Sequence, residues 1–472
     1  METKNLKDSV RDTAGRHASR HGAFSAGATA LVVAAVLVFN LILAQVPQDY
    51  TQFDMTETGI YNITDTSRTY MENLQEDVEI HVLADKEAMD SRIVRFLSKY
   101  EELSDRLSVE YVNPTVYPSV LSQYGVDTDT IVVTCAATGR QETVSIDDII
   151  GFDVMQYYYY NNYVETDFDA EGLLTSAVDG VLTDNSWLVY QTSGHNETSL
   201  PSRMEELFNK LHMSVESVNL LTDGGIPDDC TMLIINEPIR DLANDELDMI
   251  LTYLSQGGRV IFNLPGQLDP MPNFETLLST YGMSLADGMI ADTSRYYQNN
   301  PYLFFPMVDN SVDAAAGFSE DATVLFFASR GFTLTDPARD SITVKSFLTT
   351  STDGYSIVDD ANSSQGTYAV GAVATEEIDD NITARLTVFG ADSLIDSEIT
   401  GSFANIDNVN LFMSAATAGM EGLTNINIEA VSLTTPTNTI STGGIWALLF
   451  IFAIPGALLI FGFVRWMRRR KL

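Results

Sequence analysis

The chain has 472 residues, of which 45% are apolar, and it is long enough for two or three domains with substantial hydrophobic cores. Its 65 acidic residues outnumber its 26 lysines and arginines and give a formal net charge of −39. Such a charge repels nucleic acid and anionic lipid headgroups, and we therefore exclude nucleic-acid binding. The two cysteines, Cys135 and Cys230, are too few for a disulfide scaffold, and the sequence leaves open whether they pair.

Two uncharged apolar stretches, residues 24–46 and 445–464, are each long enough to cross a bilayer as a helix. Basic residues precede the first stretch and follow the second, which places both termini in the cytoplasm by the positive-inside rule. The sequence thus predicts a cell-membrane protein with two spans, whose residues 47–444 lie outside the cytoplasm. The alternatives are a cleaved signal peptide at the first stretch, which is long for one, and a cell-wall sorting signal at the second, which lacks a Leu-Pro-x-Thr-Gly stretch.

The first part of the predicted ectodomain, residues 47–150, has the pattern of a small α/β domain. Its predicted strands are residues 77–84, 107–114 and 129–135. The segment that follows, residues 151–184, contains the run Tyr157–Tyr160 and a helix beginning near Asp169. Stacked tyrosines can bind sugars, but we interpret this run as an aromatic edge strand or loop that packs against the helix.

A larger domain is predicted for residues 185–430, because apolar strands alternate with amphipathic helices there. The predicted strands are residues 186–192, 231–236, 259–264 and 384–394. This alternation is typical of a doubly wound, mostly parallel sheet with helices on both faces. The predicted fold class is therefore α/β, with two transmembrane helices bracketing a small α/β unit and this larger domain. In chain order the predicted segments are a basic cytoplasmic tail (residues 1–23), a transmembrane helix (24–46), the small α/β domain (47–150) and a Tyr-rich connector with a helix (151–184). The larger domain (185–430), a Thr-rich tether (431–444), a second transmembrane helix (445–464) and a second basic tail (465–472) follow.

Polar residues follow the predicted parallel strands, where ligands bind in open sheets of this kind. We expect one acidic rim and a candidate ligand site there. Its members are Gly194, His195, Asn196, Glu197, Glu237, Asn263 and Asp392.

Catalysis at this rim is not predicted. The chain has no Gly-x-Ser-x-Gly turn for a nucleophile and no Gly-Lys dipeptide for a phosphate-binding loop. Between the apolar stretches the only histidines are His81, His195 and His212, which are too widely spaced for a zinc site. We therefore expect that the protein is not an enzyme and binds no cofactor and no metal. A hydrolase that uses paired carboxylates is the remaining alternative.

The turn Gly194-His195-Asn196-Glu197 resembles the Gly-His-Gly-Glu turn of Gld-type auxiliary proteins of ABC transporters, a family named for bacterial gliding motility. The similarity continues through Ile226-Pro227-Asp228-Asp229 into the helix and strand "LANDELDMILTYLSQGGRVIF". The stretches "FDMTETGIYNITDTS" upstream and "VFGADSLID" downstream are also similar to segments of that family.

This resemblance implies a non-catalytic auxiliary subunit that works beside an ABC permease and its cytoplasmic ATPase. The rim would then bind or present an unknown extracytoplasmic ligand. The alternatives are a membrane-tethered hydrolase of cell-envelope glycans and a structural envelope protein. The sequence does not name the transported substrate, the direction of transport or the oligomeric state.

Overall fold

The computed structural model describes residues 59–433, apart from residues 267–269, 321, 360–361, 380–381, 404–405 and 424–427. The chain divides into two compact units, Met1–Asn62 and Ile63–Leu472. The first unit is described only at its end, where Asn62 N donates a hydrogen bond of 2.9 Å to Gly59 O. All elements named below belong to the second unit.

A small sheet forms the first part of the second unit. Its described elements are α1 (Asp65–Glu72), β1 (Val78–Leu83), α2 (Ser91–Glu101), β2 (Leu107–Tyr111), α3 (Ser119–Tyr124), β3 (Thr130–Cys135) and β4 (Arg140–Ser145). The strand order in the described residues is β2-β1-β3-β4, with β1 parallel to β2 and antiparallel to β3. Helix α2 buries the residues that its helical spacing places on one face, among them Phe96 and Tyr100.

A short connecting region follows, with β5 (Ile150–Phe152), α4 (Val154–Tyr160), β6 (Glu165–Phe168) and α5 (Ala170–Leu182). The run Tyr157–Tyr160 forms most of α4 and is exposed, so it neither forms the expected edge strand nor packs into a core. Helix α5 is largely buried and lies against β3, β4 and the next helix of the chain.

Strands and helices then alternate as the sequence predicts. The elements are β7 (Trp187–Thr192), α6 (Ser202–Lys210), β8 (Met213–Val218), β9 (Cys230–Asn236), α7 (Asn244–Ser255), β10 (Arg259–Asn263) and α8 (Pro272–Thr280). Apolar runs such as Met232–Ile235 are fully buried, as strands covered on both faces require.

The strands in the rest of the described chain pair mainly in antiparallel fashion. Its elements are β11 (Met283–Asp292), β12 (Tyr296–Tyr297), β13 (Asn300–Phe304), β14 (Met307–Val308), β15 (Phe326–Phe327), β16 (Arg330–Leu334), β17 (Ile342–Thr349), β18 (Gly354–Ile357), β19 (Ser363–Gly366), β20 (Ala369–Asp379), β21 (Ile382–Phe389), α9 (Ser397–Ser402), α10 (Asn408–Thr417) and β22 (Val431–Ser432). Strand β22 pairs with β6.

The large sheet, counted over the described residues, has twelve strands in the path β19-β18-β11-β16-β20-β21-β10-β9-β7-β8, with β14 and β17 beside it. Strands β8, β7, β9, β10 and β21 are mutually parallel. Residues of α6 and α10 pack on one face of this parallel part, and residues of α7 and α8 pack on the other. The order of the strands reverses between β7 and β9, which is where ligands bind in doubly wound sheets.

The predicted fold class is corrected in two respects. In the part of the chain that the structure describes, no helix is long and apolar enough to cross a membrane. Helix α5 has 13 residues, whereas a span needs about 20. The prediction of two transmembrane helices, and with it the predicted two-span location in the cell membrane, is therefore wrong for the described chain. The stretches on which they were predicted, residues 24–46 and 445–464, and the tails 1–23 and 465–472 lie outside the described residues.

The second correction concerns the large sheet, which is mixed rather than mostly parallel. Strands β11, β14 and β16 to β20, which lie between β10 and β21 along the chain, enter it in antiparallel pairs. The protein is thus a mixed α/β protein with large sheets. The sequence of this insertion lacks the regular alternation with helices that forces parallel pairing.

Candidate functional site

Turns at the carboxyl ends of β7, β9, β10 and β21 lie on one rim of the large sheet. They are joined by backbone hydrogen bonds from Thr198 N to Asn236 O (3.0 Å), from Glu237 N to Asn263 O (3.0 Å) and from Leu264 N to Phe389 O (2.9 Å). The rim therefore carries all seven residues expected from the sequence. They are Gly194, His195, Asn196 and Glu197 after β7, Glu237 after β9, Asn263 at the end of β10, and Asp392 after β21.

His195 is bound by a carboxylate on each side of its ring. Its Nδ1 lies 3.3 Å from Glu197 Oε1, and its Nε2 lies 2.9 Å from Glu246 Oε2 on α7. The side chains are 11%, 3% and 1% exposed for His195, Glu197 and Glu246 respectively. Glu246 also accepts from Ala243 N at 2.8 Å, so the group links the β7 turn to the start of α7.

The electrostatics of this triad favour an imidazolium between two carboxylates. The hydrogen bond to Glu197 raises the pKa of His195, and the charge of Glu246 adds to the effect, against burial that lowers it. Burial would raise the pKa of Glu197, but hydrogen bonds from the His195 ring and from backbone N–H groups lower it overall. Because neither ring nitrogen is free, His195 has no lone pair available for general base catalysis.

The backbone of the β7 turn takes its shape from two residues with positive φ. Gly194 has φ 121° and Asn196 has φ 56°. At the φ of Gly194 any other side chain is strained, and a Cβ would also crowd the amide of Asn219, so this position favours glycine. The carbonyl of His195 accepts from Ile239 N at 2.9 Å, which fixes the turn to the loop after β9.

A series of hydrogen-bonded polar side chains links the ends of β9 and β10 to the segment after the β7 turn. Asn263 Nδ2 donates to Asn236 Oδ1 at 2.7 Å, Asn236 Nδ2 donates to Thr198 O at 2.9 Å, and Thr198 Oγ1 donates to Glu237 Oε2 at 3.0 Å. Asn236 and Asn263 are each 1% exposed. Asn263 Oδ1 is buried and has no hydrogen-bond partner.

Glu237 and Asp392 are two carboxyl groups of the rim that interact electrostatically. Burial, followed by the charge of Glu237, raises the pKa of Asp392 to about 7. Glu237 stands in the left-handed region with φ 50°, a conformation that is costly for a residue with a side chain. Neighbouring carboxyl groups cannot both be ionised cheaply, so Asp392 is partly protonated near neutral pH.

We predict that Asp392→Asn stabilises the protein at pH 8. A folded pKa of about 7, against an ordinary value of 3.8, means that wild-type stability falls as the pH rises from about 4 to 7. Asparagine does not ionise, so the variant should gain on the order of 1 kcal/mol at pH 8 and nothing at pH 4. Urea unfolding at the two pH values measures the difference. An equal effect at both pH values would contradict the raised pKa of Asp392.

A cavity of about 500 Å³ opens beside the β7 turn. Three of its lining residues, Glu197, Glu205 and Glu216, are acidic, and the rest are polar or small except for Val215. Gly194 and Asn196 contribute to its wall. The cavity therefore suits a polar or cationic ligand rather than an apolar or anionic one.

Two contacts of the site were not anticipated from the sequence. Glu246 lies at the start of α7 and Thr198 follows the β7 turn, and both bind rim residues directly. The available signal for Glu246 was its position in the first turn of a predicted helix, where a carboxylate caps backbone N–H groups. Among the described residues, no group of three or more His, Cys, Asp or Glu side chains is placed to hold a metal ion.

The chain matches a family model described as a domain of unknown function (DUF7088) over residues 57–150. No curated protein matches it. It is similar to the solved structure of the mmIFT52 N-terminal domain, with a TM-score of 0.38 and 13% identity over 49% of this chain and 99% of that one. A putative ThuA-like protein from Parabacteroides merdae gives a TM-score of 0.30 and 10% identity over 52% and 98% of the two chains. The exo-beta-1,4-mannosidase Op5Man5 from Opitutaceae bacterium strain TAV5 gives 0.28 and 12% over 72% and 51%.

Proposed function

We propose that the protein is a non-catalytic accessory subunit of an ABC-type transport system, and that its rim binds and presents a ligand. The observation that carries the proposal is the double carboxylate contact of His195. A histidine with both ring nitrogens in buried hydrogen bonds fixes the geometry of a turn and does not exchange protons with a substrate. The cavity of about 500 Å³ beside this turn supplies room for a ligand.

The transport system enters the proposal through the motifs of the Gld-type family. The turn Gly194–Glu197 and the helix with Glu246 are two of those motifs, and they contact each other through His195. A pair of resembling segments that form one site supports the resemblance more strongly than either segment alone. The proposed partners are a permease and an ATPase, and the transported substrate is left unassigned.

The glycan-hydrolase alternative is less consistent with the geometry. Glycosidases hold their two carboxyl groups about 5 to 10 Å apart, so that the glycosidic bond and a water molecule fit between them. Here Glu197 lies 3.3 Å from the His195 ring and Glu237 accepts from Thr198 Oγ1 at 3.0 Å, so both carboxyl groups already have protein partners. The exposed tyrosines Tyr157–Tyr160 belong to α4, beside a different sheet.

Affinity purification of the tagged full-length chain from mild detergent extracts of its own cells tests the proposal. We expect a permease and an ATPase to be recovered in fixed ratio with the chain. Glu237→Gln should recover both in the same ratio, because the rim presents a ligand and does not assemble the complex. Recovery of the chain without an ATPase would contradict the accessory role.

A further inference from the structure

Helix α4 is an exposed, uncharged and largely aromatic element. None of its residues is buried, and the side chains of Tyr158, Tyr159 and Tyr160 are 78%, 73% and 75% exposed. Residues 154–164 contain no charged side chain, although 19% of the residues in the whole chain are charged. An exposed apolar patch of this kind marks an interaction surface more often than a structural one.

The ends and the base of α4 are fixed by its own neighbours. Asp153 caps the first turn with a side-chain hydrogen bond of 2.9 Å, and Asn161 ends the helix with φ 50°. At the base, the ring of Phe152 lies 5.1 Å from the ring of Tyr163 and 5.8 Å from that of Tyr157, between centroids. The exposed side chains therefore stand on a base that is formed before a partner binds, which lowers the entropic cost of binding.

The shape of this aromatic patch suits a groove better than a flat ligand. Neighbouring side chains on a helix point about 100° apart, so Tyr158, Tyr159 and Tyr160 radiate from α4. They form no flat platform on which a sugar ring could stack. A protruding apolar helix instead enters a groove of a protein partner. Tyrosine and methionine are also enriched at protein interfaces, whose centres are depleted of charge.

The charges around the patch select the kind of partner. Asp147 and Asp148 are exposed just before β5, and Asp167 lies on β6, the strand that leaves the patch. A second copy of the chain would bring these carboxylates together, and with them two molecules of net charge −39, which like-charge repulsion opposes. A groove bordered by basic residues is complementary to the patch and to its acidic border.

We infer that α4 and the rings at its base bind a protein partner through an apolar groove that is bordered by basic residues. This inference rests on the proposed function, in which the partner is the permease. It assigns assembly of the complex to α4 and ligand binding to the rim. The two surfaces belong to different sheets, because α4 connects β5 and β6 while the rim belongs to the large sheet.

Affinity purification of full-length variants from mild detergent extracts tests this surface. The combined variant Tyr158→Ser, Tyr159→Ser and Tyr160→Ser should recover at least tenfold less permease and ATPase than wild type. Its Tm should be nearly unchanged, because exposed side chains contribute little to stability. The matched control is Tyr296→Ser with Tyr302→Ser, two exposed tyrosines of another sheet, and it should recover as much permease as wild type.

A second variant, Asp147→Asn with Asp148→Asn, separates charge from packing. Salt screens the attraction between exposed charges, so wild-type recovery of the permease should fall between about 50 mM and about 500 mM NaCl. The variant should still recover the permease and should lose most of this salt dependence. Wild-type recovery that does not change with salt would overturn the basic border of the groove.

A photo-cross-linking amino acid in place of Tyr159 identifies the occupant even if the serine variant fails to fold. A cross-link to the permease supports the inference. Residues 434–472 start beside the patch, since Leu433 N donates to Thr166 O on β6 at 2.9 Å. A cross-link to those residues, to a second copy, to a glycan or to a lipid would overturn the inference.

The recovery experiment also distinguishes the surface from the proposed function. Full recovery of the permease by the serine variant would overturn the surface and leave the proposed function intact. A wild-type chain recovered without a permease would contradict the proposed function, and with it the partner inferred for α4.

Discussion

His195→Ala is expected to lower the free energy of unfolding by about 3 kcal/mol. The substitution leaves Glu197 and Glu246, which are 3% and 1% exposed, facing each other without a cation between them. Breaking a buried ion pair on one side costs more than the pair contributes, because the remaining charge has no partner. It also releases the link between the β7 turn and α7, so the rim should become more susceptible to proteolysis.

The pH dependence of this loss identifies its cause. The pKa of His195 is raised above its ordinary 6.5, so its contribution is fully present below about pH 6.5 and is lost as the pH rises through the folded-state pKa. The pKa of Glu197 is lowered from 4.5, so its contribution is present above about pH 4.5 and is lost as the pH falls. The difference between wild type and variant in urea unfolding should be largest between about pH 4.5 and 6.5. A difference independent of pH would indicate lost packing instead.

Gly390→Ala is expected to cost about 2 to 3 kcal/mol and to separate the carboxyl pair. Gly390 follows β21 and is held by hydrogen bonds from Arg330 N to its carbonyl (2.7 Å) and from its own N–H to Val370 O (2.8 Å). A Cβ there would lie closer to Arg330 O and Ser329 Oγ than van der Waals contact allows. Because backbone cannot rotate away as a side chain can, the turn that carries Asp392 has to shift.

The matched control is Gly401→Ala in α9, where a Cβ meets no heavy atom within 4 Å. We expect that variant to be as stable as wild type or more stable by about 0.5 kcal/mol, as alanine is in helices. Gly390→Ala should in addition bring the pKa of Asp392 back towards its ordinary value. Carboxyl titration by NMR measures this, and an unchanged pKa near 7 would show that the turn does not depend on the close contact.

Much of the parallel part of the large sheet is readable from the sequence, because each element carries its own signal. Apolar runs such as Met232–Ile235 indicate strands buried on both faces, and the stripe of α7 indicates a helix that covers one face. The rim follows from these elements, since parallel strands end on the same side. The order of the strands is not readable, because it depends on which faces pack together and leaves no local pattern.

The contacts within the rim are beyond sequence reasoning for the same reason. His195 and Glu246 are 51 residues apart, and their contact requires the β7 turn to lie against the start of α7. The pairing of Glu237 with Asp392 requires β10 to lie between β9 and β21, which no spacing in the sequence reveals. The antiparallel strands between Met283 and Asp379 range from two to eleven residues and lack a regular pattern, so local composition does not reveal that most of them extend the same sheet.

The rate of ATP hydrolysis by the co-purified permease and ATPase, with and without this chain, tests the accessory role most directly. We predict that removing the chain changes the rate at least twofold, that adding it back restores the rate, and that the chain alone hydrolyses no ATP. His195→Ala should restore the rate less well than wild type, because the rim is no longer held in shape. An ATPase whose rate is the same with and without the chain would contradict the proposed function.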